Sequence, residues 1–469
     1  MNVLLVSPFQ DIEPYIMPNL GLGYLCSALK NAGHYVEYLD CCKVNMSIKG
    51  WAAKIETNTY DVIGIQLISY NYQNVRKMLQ TVKQCSPEPI TIVGGAHAKA
   101  VPERLLKNTP EIDYVIYGEG EIALVQLLAE LENSNTPRLH GISNLVWRDD
   151  NQVVKNKKEY IEKLDDLAFP AWEYMDPRTY SKIPHGLLCK QLPIAPISTS
   201  RGCCYNCAFC SACFDGNKIR RRSPANVLAE IELLVNNYGV KEFHFEDDNF
   251  TFNKTFASEV CQGIIDRKLQ IVWACPNGVR LDTLDIELLQ LMEKSGCYSF
   301  ALGIESGSEK VLKLMKKSVT VQTYHEKIRL IKNNTNIKIT GFFIFGFPGE
   351  TEADLEITKQ FIMQEPLDRI SVGPFIPFPG TPIFNKLLTE NKIAHDYDWS
   401  LLSVYNNDIY VSSKRSKQEL FREIRIIHIR FFLRFKIILS ILAEFKSLKQ
   451  VIVAMRMLWF WLGLGKMKS

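Results

Sequence analysis

The run TSRGCCYNCAFCSAC, residues 199–213, decides how the rest of the chain is read. Five cysteines, Cys203, Cys204, Cys207, Cys210 and Cys213, fall within its last eleven residues. Two ligand sets compete. Cys203, Cys207 and Cys210, spaced x3 and x2, put three thiolates on one tight loop. Such a set can hold three irons of a 4Fe-4S cubane and leave the fourth iron open. Cys203 with Cys207, Cys210 and Cys213 would instead close a tetrahedral zinc site. Zinc knuckles pair two short cysteine clusters across a spacer, whereas these cysteines share one loop. That loop follows the strand-like run PISTS, residues 196–200, with Gly202 to turn the chain. The spacing therefore favours a cluster on Cys203, Cys207 and Cys210. Cys204 and Cys213 read as small, partly buried hydrophobes.

The 469 residues suffice for two or three domains, and 46% hydrophobic with 23% charged residues is ordinary globular composition. The other eight cysteines lie scattered in apolar segments, which indicates a reducing compartment rather than a disulfide framework. The start MNVLLVSPFQ reads as a strand and lacks the basic n-region of a signal peptide. A cytoplasmic location is expected. A net charge of +4 is too small to imply nucleic acid.

Residues 1–135 alternate strand and helix signals. Strands are expected at 3–7, 35–39, 62–67, 91–93 and 113–116, with helices at 21–31 and 123–132. This alternation predicts a doubly wound parallel sheet of the Rossmann or flavodoxin-like type. Ligands of such sheets sit beyond the carboxyl ends of the strands. Those ends carry Ser69, Gly94, Gly95 and His97, and the run GEGE at 118–121. Residues 136–190 read as a linker holding a small hairpin around Asp149-Asp150-Asn151. Residues 191–390 alternate again, with strands expected at 194–199, 242–246, 271–274, 299–303, 339–345 and 369–374. Ser223-Pro224 opens a helix, and Arg220–Arg222 before it read as a solvated cap region. Residues 391–469 read as a helical extension. From Lys414 it is basic and apolar, with a run at 451–465 shorter than the ~20 residues a span needs. Trp459, Phe460 and Trp461 beside its cations would suit a lipid–water interface.

The Cys203-x3-Cys207-x2-Cys210 spacing resembles the radical S-adenosylmethionine (SAM) enzymes. The earlier stretches PNLGLGYLCSALKNAGHYVEYLD, DVIGIQ, VGGAHA and IDYVIYGEGE resemble the cobalamin-binding domain that precedes many of their cores. The resemblance implies a partial (β/α)6 barrel of the TIM type for the second domain, with its site at the strand ends. It implies that Asp247 and Asp248 meet the SAM amino group and that Glu305 meets the ribose hydroxyls. It further implies that Lys317, with Lys316 as rival, meets the SAM carboxylate. Ile344 and Gly346 in GFFIFGFPGET, residues 341–351, fall on the adenine side. Ser69, Gly94 and Gly95 are implied to cradle the cobalamin tail, with His97 in that pocket. The Asp-x-His-x-x-Gly motif that ligates cobalt from below is absent, and the loop 7–18 holds no histidine.

The resemblance thus implies a 4Fe-4S cluster, SAM and cobalamin, and cobalamin-dependent C-methylation of an unactivated carbon. A cobalamin-containing cyclase or rearrangement enzyme is the alternative, and a non-catalytic zinc-knuckle protein the third. The implied partners are a small-molecule or lipid-like substrate and an electron donor such as flavodoxin or ferredoxin. A further candidate is peripheral contact with the inner face of a membrane. No residue is singled out as catalytic.

Overall fold

The computed structural model describes all residues except 10–15, 135, 151, 181–188, 213–217, 396, 398, 400–401, 403–414 and 445–469. The chain divides into two compact units.

The first unit takes residues 1–181 with the short pieces 378–380 and 395–402. Its strands are β1 (Asn2–Ser7), β2 (Tyr35–Asp40), β3 (Val62–Gln66), β4 (Ile90–Gly94), β5 (Tyr114–Ile116), β6 (Leu145–Asp149) and β7 (Gln152–Lys155). Their order is β2-β1-β3-β4-β5-β6-β7. The first five are parallel, and helices α1 (Leu20–Asn31), α2 (Ile48–Thr57), α3 (Tyr72–Cys85), α4 (Ala96–Ala100), α5 (Pro102–Asn108) and α6 (Glu121–Asn133) join or follow them. Val3 to Val6 of β1 are all buried, as expected of a strand covered on both faces. Asn19 and Ser47 cap α1 and α2 by accepting backbone N–H bonds.

The hairpin expected in the linker belongs to this sheet. β6 pairs antiparallel with β5, Val115 opposite Val146, and β7 pairs with β6. The reason is physical. β5 is three residues long and would otherwise leave bare backbone on the sheet edge.

The second unit carries β8 (Ile194–Ile197), β11 (Glu242–Phe245), β12 (Val272–Cys275), β13 (Cys297–Glu305), β14 (Lys338–Phe345) and β15 (Arg369–Pro374) in one parallel sheet. Neighbours follow chain order from β8 to β15, the pattern of a barrel sector. A two-strand ribbon, β9 (Ser200–Arg201) with β10 (Arg220–Arg221), brackets the cysteine loop. The helices are α7 (Pro224–Tyr238), α8 (Lys254–Asp266), α9 (Ile286–Lys294), α10 (Glu309–Leu314), α11 (Val321–Asn334), α12 (Glu352–Gln364), α13 (Pro382–Thr389), α14 (Lys417–Phe432) and α15 (Phe435–Glu444). Ser223 caps α7 with Pro224 in its first turn, and Gly239 ends it in the left-handed region.

The arginines before α7 are only in part a solvated cap: Arg221 is exposed, whereas Arg220 and Arg222 are buried. Arg222 is buried, pairs with Glu230, and donates to the Ser198 carbonyl at 2.9 Å. It thereby ties the end of β8 to α7.

The outer strand β15 is covered by α14. Buried His428 donates from Nδ1 to the Ile424 carbonyl at 2.8 Å, and its Nε2 accepts the Val372 N–H at 3.3 Å. Burial holds its pKa down to about 4, which keeps the ring neutral and able to accept. The run 451–465 and Trp459, Phe460 and Trp461 lie outside the described residues. Among the described residues no helix is long and apolar enough to cross a membrane.

Candidate active site

The cysteine loop leaves β8 and is held at its root by Asp247, just past the end of β11. Asp247 is 2% exposed. Its carboxylate accepts the Thr199 N–H at 3.0 Å, the Thr199 hydroxyl at 2.9 Å and the Ser200 hydroxyl at 2.5 Å. Burial pushes its pKa up to about 6, against the pull of those bonds. Its acceptors are therefore spent on the loop root. The loop is also strapped at its middle. The Ala208 N–H donates to the Met315 carbonyl at 2.9 Å, and the Ala208 carbonyl accepts from Ile383 at 3.0 Å.

Cys203, Cys207 and Cys210 form no disulfide and are partly exposed. Cys203 and Cys210 lie within electrostatic reach of each other, of Cys207 and of Asp248. Burial raises the pKa of Cys203, and that of Cys210 to about 12, so their thiolates need a cationic partner. An iron cluster supplies one. Among the described residues no three His, Cys, Asp or Glu side chains converge enough to share a single ion. In a cluster each of the three thiolates would bind its own iron. Cys204 faces a different setting, near Arg280 and Asp282. Cys213 lies outside the described residues.

Arg280, which sequence reading missed, stacks on Tyr205 of the loop at 3.6 Å and pairs with Asp282 at 2.8 Å. Its signal was only a basic residue five positions after a strand end.

β13 ends in a bulge. Its register against β14 shifts between Gly303 and Glu305, and Glu305 has φ 65°. A bulge re-aims the side chain that follows it. Glu305 Oε1 meets Lys317 Nζ at 3.1 Å, and Lys317 also donates to the Gly303 carbonyl at 2.9 Å. The Tyr324 hydroxyl donates to the same carbonyl at 2.9 Å. Burial pulls the Lys317 ammonium pKa down, and Glu305 more than offsets it, leaving it raised. Lys317 feels the charge of Cys207 and lies 6.0 Å from the Phe209 ring centre. Its rival Lys316 points to solvent.

Farther along, the Gly346 N–H donates to Glu350 Oε2 at 2.7 Å with φ 79° at the glycine. Burial lifts the Glu350 pKa to about 7. Ile344 is half-buried on β14. Asp248, Glu305, Lys317, Ile344 and Gly346 thus sit at or beyond the carboxyl ends of β11, β13 and β14.

In the first unit the loops after β3 and β4 are zipped together. The Leu67 N–H donates to Gly94 at 2.7 Å, and the His97 N–H to Leu67 at 3.1 Å. Gly95 has φ 107°, and a Cβ there would come 2.8 Å from the Leu67 carbonyl oxygen, so only glycine serves. Ser69 Oγ and His97 Nδ1 are 2.9 Å apart. Burial, then Arg104, push the His97 pKa down to about 3. The fully buried ring packs edge-on against Trp399, with centroids 4.2 Å apart. His97 therefore stands behind Ser69 rather than facing an open loop. Trp399 was not foreseen, because it comes from a segment far along the chain.

Comparison with known proteins agrees with this division. The B12 binding domain family matches residues 14–128, and the Radical SAM superfamily matches residues 197–362, together more than half of the chain. The cytidylyl-2-hydroxyethylphosphonate methyltransferase of Streptomyces wedmorensis is 28% identical over 84% of this chain and 82% of its own. The anaerobic magnesium-protoporphyrin IX monomethyl ester cyclase of Cereibacter sphaeroides is 29% identical over 82% of this chain and 62% of its own. The fold matches the radical SAM methyltransferase TsrM of Kitasatospora setae, solved with cobalamin and a [4Fe-4S] cluster bound. That match has a TM-score of 0.67 at 20% identity and covers 83% of this chain and 78% of the other. A B12 binding domain followed by a three-cysteine loop at the strand ends of a parallel barrel sector places this chain in the cobalamin-binding radical SAM family of enzymes.

Proposed function

We propose that the protein is a cobalamin-dependent methyltransferase that uses SAM to methylate an unactivated carbon of a small-molecule or lipid-like substrate. The observation that carries the reading is the meeting of the cysteine loop with Asp248 and Lys317, beside Glu305, at one end of the parallel sheet. Cys203, Cys207 and Cys210 hold the cluster. Asp248 accepts from the SAM ammonium, which can only donate. Lys317 faces the SAM carboxylate and Glu305 the ribose hydroxyls. Ile344 and Gly346 border adenine. Asp247 acts on the loop root rather than on SAM. Ser69, Gly94 and Gly95 cradle the cobalamin tail, with His97 bracing Ser69. When bound, the cluster supplies the electron that cleaves SAM, and cobalamin carries the methyl group. The chain's residues orient these groups and keep water from them.

The chemistry requires a one-electron donor of the flavodoxin or ferredoxin type in the cytoplasm. Contact with the inner face of a membrane belongs to the same picture.

The test is product counting with full-length, cluster- and cobalamin-loaded enzyme. Methyl transfer gives both S-adenosylhomocysteine and 5′-deoxyadenosine. 5′-Deoxyadenosine alone would favour the cyclase-like reading, which the 29% identical cyclase supports. Neither product from an iron-loaded, reduced enzyme would overturn both readings. Iron and sulfide analysis separates them from the zinc-knuckle alternative.

A further inference from the structure

Helix α15 presents an apolar stripe to water. Phe435, Ile438, Leu439 and Leu442, spaced i, i+3, i+4, i+7, are 76%, 36%, 51% and 58% exposed. Leu433, just before them, is 63% exposed. That spacing normally faces a core. Here the helix is fixed by other residues. Ile437 is buried, Lys338 donates to the Ser440 hydroxyl at 3.2 Å, and Arg434 lies 3.9 Å over the Phe431 ring. The stripe therefore stays outward while the helix stays docked.

Charge identifies what covers it. Residues 414–469 hold thirteen Lys and Arg against three Glu, a net +10 in a chain of total +4, so the preceding residues sum to −6. Arg434 and Lys436 flank Phe435, and exposed Arg425 and Arg430 lie on α14. A second copy docking through this face would set Arg425, Arg430, Arg434 and Lys436 against the same cations of its partner. Residues 445–469 carry five Lys and Arg and no acidic residue, so covering the stripe with them would add positive charge to positive charge. An anionic lipid surface satisfies both the apolar stripe and the cations. The ten described residues of α15 are long enough to lie in the interface.

We infer that α15 docks the protein on an anionic bilayer, with Phe435, Ile438, Leu439 and Leu442 entering the headgroup boundary. This inference does not depend on the catalytic reading, because its residues are outside the site.

The experiment is co-sedimentation of the full-length protein with vesicles of equal parts phosphatidylglycerol and phosphatidylcholine, and with phosphatidylcholine alone. Binding is expected only to the anionic vesicles and should weaken as salt rises. Leu439→Gln with Leu442→Gln should weaken it at least about tenfold. Arg430→Gln and Lys436→Gln should each weaken it about fivefold. SAM cleavage should stay unchanged in all of these, which also reports that they fold. Equal binding to both vesicle types, no binding to either, or unchanged binding by the leucine variant would overturn the inference. A concentration-dependent dimer that the leucine variant abolishes would assign the face to a second copy instead.

Discussion

Replacing Glu305 by Gln and Lys317 by Met, singly and together, probes the centre of the site by removing each charge with little change in side-chain size. The two charges are 3.1 Å apart and each side chain is 11% exposed. At an effective dielectric near 20 their attraction is about 5 kcal/mol, most of which repays the cost of burying them. Removing one partner strands the other, so each single variant should cost the apo protein about 3 kcal/mol. The double variant strands neither. It should cost less than the two singles together by at least about 1.5 kcal/mol. Lys317→Met also releases the Gly303 carbonyl, but Tyr324 still donates to it, which limits that penalty. Anaerobic chemical denaturation of the four proteins measures this cycle. SAM titration of the cluster-loaded forms adds the functional arm, where each single variant should bind at least about tenfold more weakly. The Lys317 contribution should be insensitive to pH between about 6 and 9. A lysine whose folded pKa is raised keeps its full contribution below the unfolded value of about 10.4, and loses it only as pH rises through the folded one. Additive stability losses together with unchanged SAM affinity would refute the role given to both residues.

Alanine at Cys203, Cys207 or Cys210 should abolish reconstituted iron and the broad absorption near about 400 nm, whereas Cys204→Ala should retain both. Asp247→Asn should flatten the pH dependence of apo stability. Its folded pKa, about 6 against 3.8, makes the charged form costly, so the native protein loses about 3 kcal/mol as pH rises from about 4 to 6 and the variant should not. Unfolding titrations at several pH values would show the difference, and identical curves would count against the buried clasp. His428 works in the opposite direction. Its folded pKa, about 4 against 6.5, gives stability that is present above 6.5 and fades by about 3 kcal/mol as pH falls to 4, which His428→Gln should remove. Hydrogen exchange of the α14 amides would report the loosening.

Most strands were legible because short runs of Val, Ile and Phe stand between glycine and polar breaks. The boundaries of β11 to β15 fall within a few residues of those read from the sequence. The pairing partner of the hairpin was not legible. β6 is defined by the bare edge of β5, and no local pattern records which edge a hairpin will join. The division of labour between Asp247 and Asp248 was likewise hidden. Adjacent residues past a strand end can point to opposite sides, and only the donors of Thr199 and Ser200 show which carboxylate is spent. Lys316 and Lys317 are alike in sequence. The left-handed turn at Lys316, φ 54°, sends one outward and leaves the next facing Glu305. Arg222 was misjudged because its partner Glu230 lies eight residues on, where the sequence shows two acids, Glu230 and Glu232, and nothing to say which one faces the arginine.

The packing of Trp399 on His97 sets an order of events during synthesis. The first unit contains residues 378–380 and 395–402 as well as 1–181. It therefore remains unfinished until the ribosome has passed residue 402, after every strand of the second sheet has been made. Until then the ring of His97 lacks its cover, and the nascent cobalamin domain waits as an incomplete body. Cutting the gene after codon 181 should yield a fragment that is soluble only poorly, because it carries the sheet but not the tryptophan that closes it. A chain that stops before residue 395 lacks the ring that covers His97, even with every strand of both sheets in place.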